Sequence, residues 1–191
     1  GAIVYCTSTA GLEWKKFKKE QNKVVHAKTW EEVQELTKKL AASAPATFAY
    51  MYSKRCTSQF ACEQSVEFAK LGIRINNVLP ASTDTGMKQE FQDMVGSEEG
   101  LIAQAGLAGR LANPEEMAYP MVFLNSEMAS FVSGLDMVVD YTDTCLKTLG
   151  LKKNLEAVSA TNPIICALAK KMITKSANNT KALNPGKNNE K

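Results

Sequence analysis

Histidine is nearly absent from this sequence, and its cysteines lack the spacing that metal sites and disulfide frameworks use. The chain has one histidine, His26, and five cysteines, an odd number without any C-x-x-C pair. A structural zinc site needs four Cys or His ligands, mostly at short spacings, so we predict no metal site. Unpaired thiols are typical of a reducing compartment, and we expect a cytoplasmic protein.

Long apolar runs are also missing. No stretch of about 18 apolar residues occurs that could form a membrane-spanning helix. The first residues lack the charged, apolar and small-residue succession of a secretory signal. With 191 residues, 45% of them apolar, the chain has the length for one domain with a sizeable core but not for two.

Acidic residues are scarce at the C-terminal end. Residues 147–191 carry a net charge of +7 in a chain of net charge +3, which leaves −4 for the first 146 residues. Thinly spread lysines in a polar segment favour solvation over the binding of an acidic partner. We therefore expect no nucleic-acid or membrane partner, and a disordered basic tail over residues 176–191.

Three apolar runs predict strands, and helical segments separate them. The strands are AIVYCT, IRINNVL and LDMVVD, and their spacing predicts an α/β fold with a parallel sheet. Among the helices, one is opened by the capping-box spacing of Thr29 and Glu32, and another by Asn113-Pro114. Because the chain enters a core strand directly after Gly1, we expect it to be part of a longer protein.

The domain organisation follows from these elements. We predict one domain over residues 1–150, with a helical insertion at residues 12–47. A C-terminal helical extension over residues 151–175 contains a helix that starts at Asn162-Pro163. We expect that helix to pack on the body of the protein or on a second subunit, with a helix lying on a membrane surface as the alternative.

The stretch AYMYSKR places Tyr50 four residues ahead of Lys54. Alone, a Y-x-x-x-K match means little, because chance predicts about half a match in a chain with this many lysines. On a helix, however, this spacing puts both side chains on one face. A neighbouring ammonium stabilises a phenolate, so we expect the pKa of Tyr50 to fall from about 10 toward the neutral range, where a tyrosine can exchange protons.

Read in order, four motifs resemble the second half of a short-chain dehydrogenase/reductase (SDR). They cover about residues 1–11 and 48–141, and four motifs in the right order are far more specific than any one of them. The matching segments are IVYCTSTAG, YMYSK, GIRINNVLPASTDT and GRLANPEEMA...FLNSEMASFVSG...VVD.

The resemblance implies a Rossmann-like parallel sheet and an NAD- or NADP-dependent alcohol/ketone oxidoreductase. It implies that Ser8 binds the substrate oxygen, that Tyr50 transfers the proton, and that Lys54 also bonds the nicotinamide ribose. It further implies that NAD or NADP contacts Tyr50 and Lys54 on their helix. It implies the same for the residues at and after the end of the second strand: Pro80, Ala81, Thr83 and Thr85. Ser8 and Thr85 follow strand ends, where open α/β sheets bind ligands.

The sequence departs from the family pattern in three places. The glycine-rich pyrophosphate turn belongs to an N-terminal half that the sequence lacks, so nothing here selects NAD over NADP. The insertion is long, as in the branch of bacterial 3α-hydroxysteroid dehydrogenase/carbonyl reductase. Pro80-Ala81 replaces Pro-Gly, and Asp140-Tyr141-Thr142 replaces Asp-Gly-Gly. The second replacement leaves undecided how the third strand ends.

Several residues have a structural alternative. Ser8 could serve merely to satisfy a turn, in which case Thr7 would bind the substrate oxygen. Thr85 could make a local hydrogen bond within its loop instead of binding the cofactor. Tyr52 faces elsewhere on the helix and is expected to pack. The tryptophans Trp14 and Trp30 could cover an apolar substrate or pack in the fold.

From these observations we expect a secondary-alcohol/ketone oxidoreductase acting on a small apolar molecule, with a hydroxysteroid as the finer hypothesis, and a homo-oligomer. The alternative is a non-catalytic remnant of the family that serves as an oligomerisation or binding module.

Overall fold

The computed structural model describes residues 1–168, apart from the side chains at positions 39, 41 and 43. The predicted tail over 176–191 and the end of the predicted extension lie outside the described residues. The strands are β1 (Ala2–Cys6), β2 (Arg74–Pro80) and β3 (Asp136–Val139). The helices are α1 (Lys18–Val25), α2 (Trp30–Ser43), α3 (Ala46–Ala69), α4 (Lys88–Val95), α5 (Glu98–Ala103), α6 (Pro114–Asn125) and α7 (Asp143–Thr148). Short 3-10 helices span Thr9–Lys15, Gly106–Ala108 and Glu127–Ala129.

The three strands form one parallel sheet in the order β1-β2-β3. Cys6 pairs with Val78, and Leu79 pairs with Val138. Parallel neighbours need helical crossovers, and α3 and α6 supply them. The predicted α/β class with a parallel sheet is confirmed. Because the strands are parallel, all three carboxyl ends lie at the same edge of the sheet.

Local capping explains where the predicted helices begin. The Thr29 hydroxyl accepts a hydrogen bond from the Glu32 amide, 3.2 Å away, and the first residue of α2 is Trp30. Asn113 and Glu116 form a capping box at the start of α6. Each cap satisfies amide groups that a helix N-terminus otherwise leaves without a partner.

One hydrophobic core lies where α6 packs against the sheet. Val78, Leu124 and Ala129 are completely buried against one another. Val4 of β1 and Met137 of β3 pack against them. Among residues 1–168, no helix has both the length and the apolar character needed to cross a bilayer.

A side-chain hydrogen bond joins the helical insertion to β3. Trp14, buried to 5% exposure, donates its indole N–H to the Asp136 carboxylate at 2.9 Å. The Asn77 amide donates to the other oxygen of the same carboxylate at 2.7 Å. Two donors on one carboxylate hold the 3-10 helix Thr9–Lys15 in place against β2 and β3.

The end of β3 has an uncommon backbone conformation. Tyr141 and Thr142 have φ angles of 43° and 78°, the left-handed region that favours glycine. These positions match the two glycines of the family's Asp-Gly-Gly. Gly106 lies directly against the Tyr141 carbonyl oxygen, where an added Cβ would overlap with it. Tyr141 and Thr142 therefore adopt a backbone conformation that is strained for residues with side chains.

Replacing Thr142 by glycine should relieve this strain. We expect Thr142→Gly to raise the free energy of unfolding by about 1 kcal/mol, because a β-branched residue is disfavoured in the left-handed region. The measurement is urea denaturation followed by circular dichroism. Thr148→Gly is the matched control: in helical backbone, the same exchange should lower stability by about 0.5 kcal/mol. Equal effects at both positions would contradict the assignment of strain to Thr142.

Candidate active site

The candidate site lies at the edge of the sheet where the strands end. After β1, the Thr7 amide donates to the Val78 carbonyl at 2.9 Å. After β2, the Ala81 amide donates to the Val139 carbonyl at 3.0 Å. These two bonds continue the sheet pairing for one residue. They fix where the segments that carry Ser8 and Thr85 leave the sheet.

Tyr50 and Lys54 lie on one face of α3, as their spacing predicts. The Lys54 ammonium is 5.4 Å from the centroid of the Tyr50 ring, in cation–π geometry. Tyr50 is half-buried, and Lys54 makes no ion pair with any carboxylate among the described residues. Its ammonium is therefore available to a ligand.

Ser8 lies beside Tyr50. Its hydroxyl oxygen caps the 3-10 helix Thr9–Lys15 by accepting the Ala10 amide at 3.2 Å. The Ser8 side chain is also within hydrogen-bonding reach of Tyr50, where it acts to lower the tyrosine's pKa. Since the Ala10 bond uses only the oxygen, the hydroxyl proton of Ser8 can still be donated.

Thr7 is placed differently from its neighbour. It is buried to 3% exposure, and its hydroxyl donates to the Val78 carbonyl at 3.2 Å. That proton is therefore already used within the fold. Of the two adjacent hydroxyls, Ser8 is the one that faces Tyr50, and this geometry favours Ser8 over Thr7 at a substrate oxygen.

The pKa of Tyr50 is raised above its ordinary value, so the fall predicted from the Tyr50–Lys54 spacing is wrong for this structure. Burial of the phenol is the main cause, and the charges of Cys6 and Glu156 act in the same direction. The Ser8 side chain opposes them. Lys54 lies over the face of the ring, and its charge does not outweigh the burial. Tyr50 is thereby held in its protonated form.

The residues implied to bind a cofactor after β2 occupy the loop that leaves the sheet. Pro80 is the last residue of β2, and Ala81 bonds to β3. Thr83 donates its hydroxyl to the Ala81 carbonyl at 3.0 Å. The exposed Thr85 hydroxyl accepts a hydrogen bond from the Met87 amide at 3.3 Å. This is the local loop hydrogen bond that the sequence suggests as the alternative to cofactor binding. Its proton remains available for donation.

Phe91 is a site residue that the sequence did not reveal. It belongs to α4 and packs edge-on against Tyr50, with ring centroids 5.3 Å apart and an interplanar angle of 79°. The helix after the Thr85 loop thus places an aromatic ring on the tyrosine. The sequence predicts only a mixed helical region here, and a helical pattern does not say which neighbour a residue touches.

Trp14 and Tyr52 pack in the fold, and Trp30 is exposed. Trp14 is bonded to Asp136, and Trp30 is 68% exposed at the start of α2. The buried Tyr52 donates its hydroxyl to the Glu20 carbonyl at 3.2 Å, and burial raises its pKa. Burial also raises the pKa of the Cys56 thiol to about 12, which excludes a thiolate nucleophile there.

With this geometry in hand, the chain can be compared with known proteins. The family model described as enoyl-(acyl carrier protein) reductase matches residues 33–141, more than half of the chain. The chain belongs to the short-chain dehydrogenase/reductase family.

Its relatives include dehydrogenases of cyclic alcohols. It is 38% identical over 97 residues to cyclopentanol dehydrogenase of Comamonas sp. (strain NCIMB 9872), a match covering 51% of this chain and 38% of that protein. It is 37% identical over 91 residues to cyclohexanol dehydrogenase of Acinetobacter sp. (strain SE19), covering 48% and 34%. The matched segments therefore span less than half the length of these relatives.

Among solved structures, the fold resembles that of 3-alpha-hydroxysteroid dehydrogenase from Pseudomonas sp. B-0831 in complex with NADH. The TM-score is 0.64 at 23% identity, covering 77% of this chain and 57% of the other. A likeness also exists to ElxO with NADP bound, with a TM-score of 0.51 at 23% identity, covering 76% and 47%. Both support the expectation of a partial Rossmann-like fold.

Proposed function

We propose that the chain is the proton-transferring part of an NAD- or NADP-dependent oxidoreductase that interconverts a secondary alcohol and a ketone. The observation that carries this proposal is the meeting of Ser8, Tyr50 and Lys54 at the carboxyl edge of a parallel sheet. Relatives named as cyclopentanol and cyclohexanol dehydrogenases support a small cyclic alcohol or ketone as substrate.

Each side chain has a distinct role in this proposal. Ser8 donates its hydroxyl proton to the substrate oxygen and orients it. Protonated Tyr50 donates a proton to that oxygen as a ketone is reduced, and in the reverse direction its phenolate accepts the proton of the alcohol. Lys54 stabilises the phenolate that forms transiently, because an adjacent cation favours the charged tyrosine.

The residues present fit a nicotinamide cofactor. Lys54 has no carboxylate partner in the described part of the chain, and Thr85 keeps a donatable proton at the edge of the site. Together with Tyr50, Pro80, Ala81 and Thr83, they would hold the nicotinamide end. When bound, the cofactor supplies or accepts the hydride, and the choice between NAD and NADP stays open.

An apolar substrate agrees with the surroundings of Tyr50. Phe91 places a second aromatic ring beside Tyr50, and apolar rings pack well against aromatic side chains. The finer proposal is a hydroxysteroid substrate, which draws on the long insertion shared with the 3α-hydroxysteroid dehydrogenase/carbonyl reductase branch. Cytoplasmic localisation remains part of the same proposal.

A homo-oligomer is a further part of the proposal, and it is also the basis of the rival reading as a non-catalytic binding module. Large apolar side chains on and just after α6 are strongly exposed: Tyr119, Val122, Met128 and Phe131. Exposed apolar groups gathered in one region are typical of contact surfaces. A second copy of the chain is the partner that symmetric oligomers use.

The decisive experiment joins the chain to the N-terminal half of a related dehydrogenase and measures cyclohexanol oxidation with NAD and with NADP. We expect turnover with one of the cofactors, and only weak cofactor binding by the 191 residues alone, because the pyrophosphate turn is missing. Tight nucleotide binding without any turnover on a panel of alcohols and ketones would instead favour the binding module.

A further inference from the structure

The 3-10 helix Thr9–Lys15 has a site residue at one end and a buried tryptophan near the other. Ser8 is its N-cap: the Ser8 hydroxyl oxygen accepts the Ala10 amide at 3.2 Å, and the Ser8 carbonyl accepts the Gly11 amide at 2.9 Å. Trp14 belongs to the last turn and is only 5% exposed. At about 2 Å per residue, Ser8 and Trp14 lie about 12 Å apart along the helix axis.

The Trp14 side chain is attached to the sheet. Its indole N–H donates to one oxygen of the Asp136 carboxylate at 2.9 Å, and Asp136 is the first residue of β3. The other oxygen accepts the side-chain amide of Asn77 at 2.7 Å. Asn77 belongs to β2 and is 2% exposed. A carboxylate with a donor on each oxygen is a fixed acceptor, so the indole is held in one place.

The Trp14 backbone is attached to α3. The completely buried Gln21 donates its side-chain amide to the Trp14 carbonyl at 3.2 Å and to the Arg55 carbonyl at 3.4 Å. Arg55 directly follows Lys54 on the helix that carries Tyr50. Trp14 is therefore the point at which the 3-10 helix is joined both to the sheet and to α3.

The chain before Ser8 is fixed separately, but that attachment does not direct the Ser8 side chain. The amide and the hydroxyl of Thr7 both donate to the Val78 carbonyl, at 2.9 and 3.2 Å. Ser8 itself has extended backbone, with φ −175° and ψ 156°, and its hydroxyl oxygen is bonded to Ala10 in the first turn of the 3-10 helix. The direction of the hydroxyl therefore depends on where that helix lies.

We propose that Trp14 and Asp136 are positioning residues that hold the Ser8 hydroxyl at the substrate oxygen through the 3-10 helix Thr9–Lys15. The proposal rests on the proposed function, since it concerns the serine assigned to that oxygen. Neither residue touches the substrate, because Asp136 begins β3, whereas the site lies where the strands end. A misplacement of about 1 Å can cost as much as 10²-fold in rate, so the attachment of the far end of the helix affects catalysis.

The first test measures ketone reduction by the chain joined to the N-terminal half of a relative. Trp14→Phe keeps an aromatic ring but loses the N–H that bonds Asp136. We expect kcat to fall about tenfold and KM to change less, because the ketone still enters the site but meets a misdirected hydroxyl. Trp30→Phe is the matched control: Trp30 is 68% exposed, and the same exchange should change neither constant.

A double-mutant cycle separates positioning of Ser8 from a general loosening of the fold. If Trp14 acts through Ser8, adding Trp14→Phe to Ser8→Ala should lower kcat by less than about twofold. A merely structural role would lower kcat by the same factor with and without the serine hydroxyl. That second outcome would overturn the proposal.

A spectroscopic test needs no turnover. The 191-residue chain is produced with 3-fluorotyrosine, and the fluorine signal of Tyr50 is assigned by its loss in Tyr50→Phe. Ser8→Ala should shift this signal at neutral pH, because Ser8 is a side-chain hydrogen-bond partner of Tyr50. Trp14→Phe should shift it in the same direction, and Trp30→Phe should not.

An unshifted Tyr50 signal in Trp14→Phe would show that Ser8 keeps its place without the bond to Asp136, and the proposal would be wrong. A failure of the proposed function is a different result, namely turnover that survives in Tyr50→Phe. The fluorine signal reports on the position of Ser8 whether or not the chain catalyses a reaction.

A second variant covers the case in which Trp14→Phe does not fold. The chain has two tryptophans, so in Trp30→Phe only Trp14 remains. Benzothienylalanine supplied in place of tryptophan then puts a sulfur where the indole has its N–H and keeps the shape of the side chain. The same shift of the Tyr50 signal is expected, and its absence in this chain would likewise overturn the proposal.

Discussion

Replacing Tyr50 by phenylalanine is expected to lower kcat/KM for ketone reduction by about 10³-fold, close to 4 kcal/mol of transition-state stabilisation. The phenylalanine keeps the packing against Phe91 and the ring face under Lys54, and only the exchangeable proton is lost. Activity is measured in the chain joined to the N-terminal half of a relative. Cofactor binding should change little, since the ring itself remains.

Tyr52→Phe is the matched control for this prediction. It removes the same hydroxyl two residues along α3, where the group donates to the Glu20 carbonyl within the fold. We expect a loss of about 1 kcal/mol in unfolding free energy and no change in kcat/KM. If Tyr50→Phe and Tyr52→Phe had the same activity, Tyr50 would have no part in proton transfer.

The raised pKa of Tyr50 also predicts the direction in which pH acts. The protonated phenol persists above the ordinary tyrosine pKa of about 10, so the acid needed for reduction is available throughout the neutral range. Alcohol oxidation, which needs the base, should instead become faster as pH rises toward the tyrosine's pKa. The charge of Glu156 and the burial of the phenol both push in this direction.

The sequence was sufficient for the framework that carries the site. β-branched apolar runs identified all three strands, and the caps at Thr29 and Asn113 identified where α2 and α6 begin. Both signals are local, since they depend on residues within one or two turns of each other. The placement of Ser8 and Thr85 at one edge followed from the parallel sheet, because strand ends meet there, whereas the pairing of Ser8 with Tyr50 was implied by the family resemblance.

What the sequence could not give depends on contacts between distant residues. The i, i+4 spacing suggested that Lys54 would control the pKa of Tyr50, but burial dominates, and even Glu156, far away in the sequence, contributes to raising it. Residues 106 positions apart have no periodic pattern that pairs them. Phe91 escaped notice for the same reason. The strain at Thr142 could be suspected from the missing glycines, but its φ angle required the fold.

Gly11→Ala is expected to lower the free energy of unfolding by about 3 kcal/mol. A Cβ on Gly11 would lie 2.8 Å from the Lys54 carbonyl oxygen and 2.8 Å from the Ser58 hydroxyl. The carbonyl belongs to the backbone of α3, so it cannot turn aside as a flexible side chain could. The 3-10 helix Thr9–Lys15 must move away from α3, and Ser8, its N-cap, would move with it.

Gly86→Ala provides the control, because a Cβ there meets no atom within 4 Å. In urea denaturation, Gly86→Ala should change the free energy of unfolding by no more than about 0.5 kcal/mol, whereas Gly11→Ala should lower it strongly. Fluorine NMR titration of Tyr50, in the chain produced with 3-fluorotyrosine, adds a second readout: with Ser8 displaced, the pKa of Tyr50 should rise further, since Ser8 is the group that lowers it. Equal stability of the two variants would show that the contact between Gly11 and Lys54 does not hold Ser8 against Tyr50.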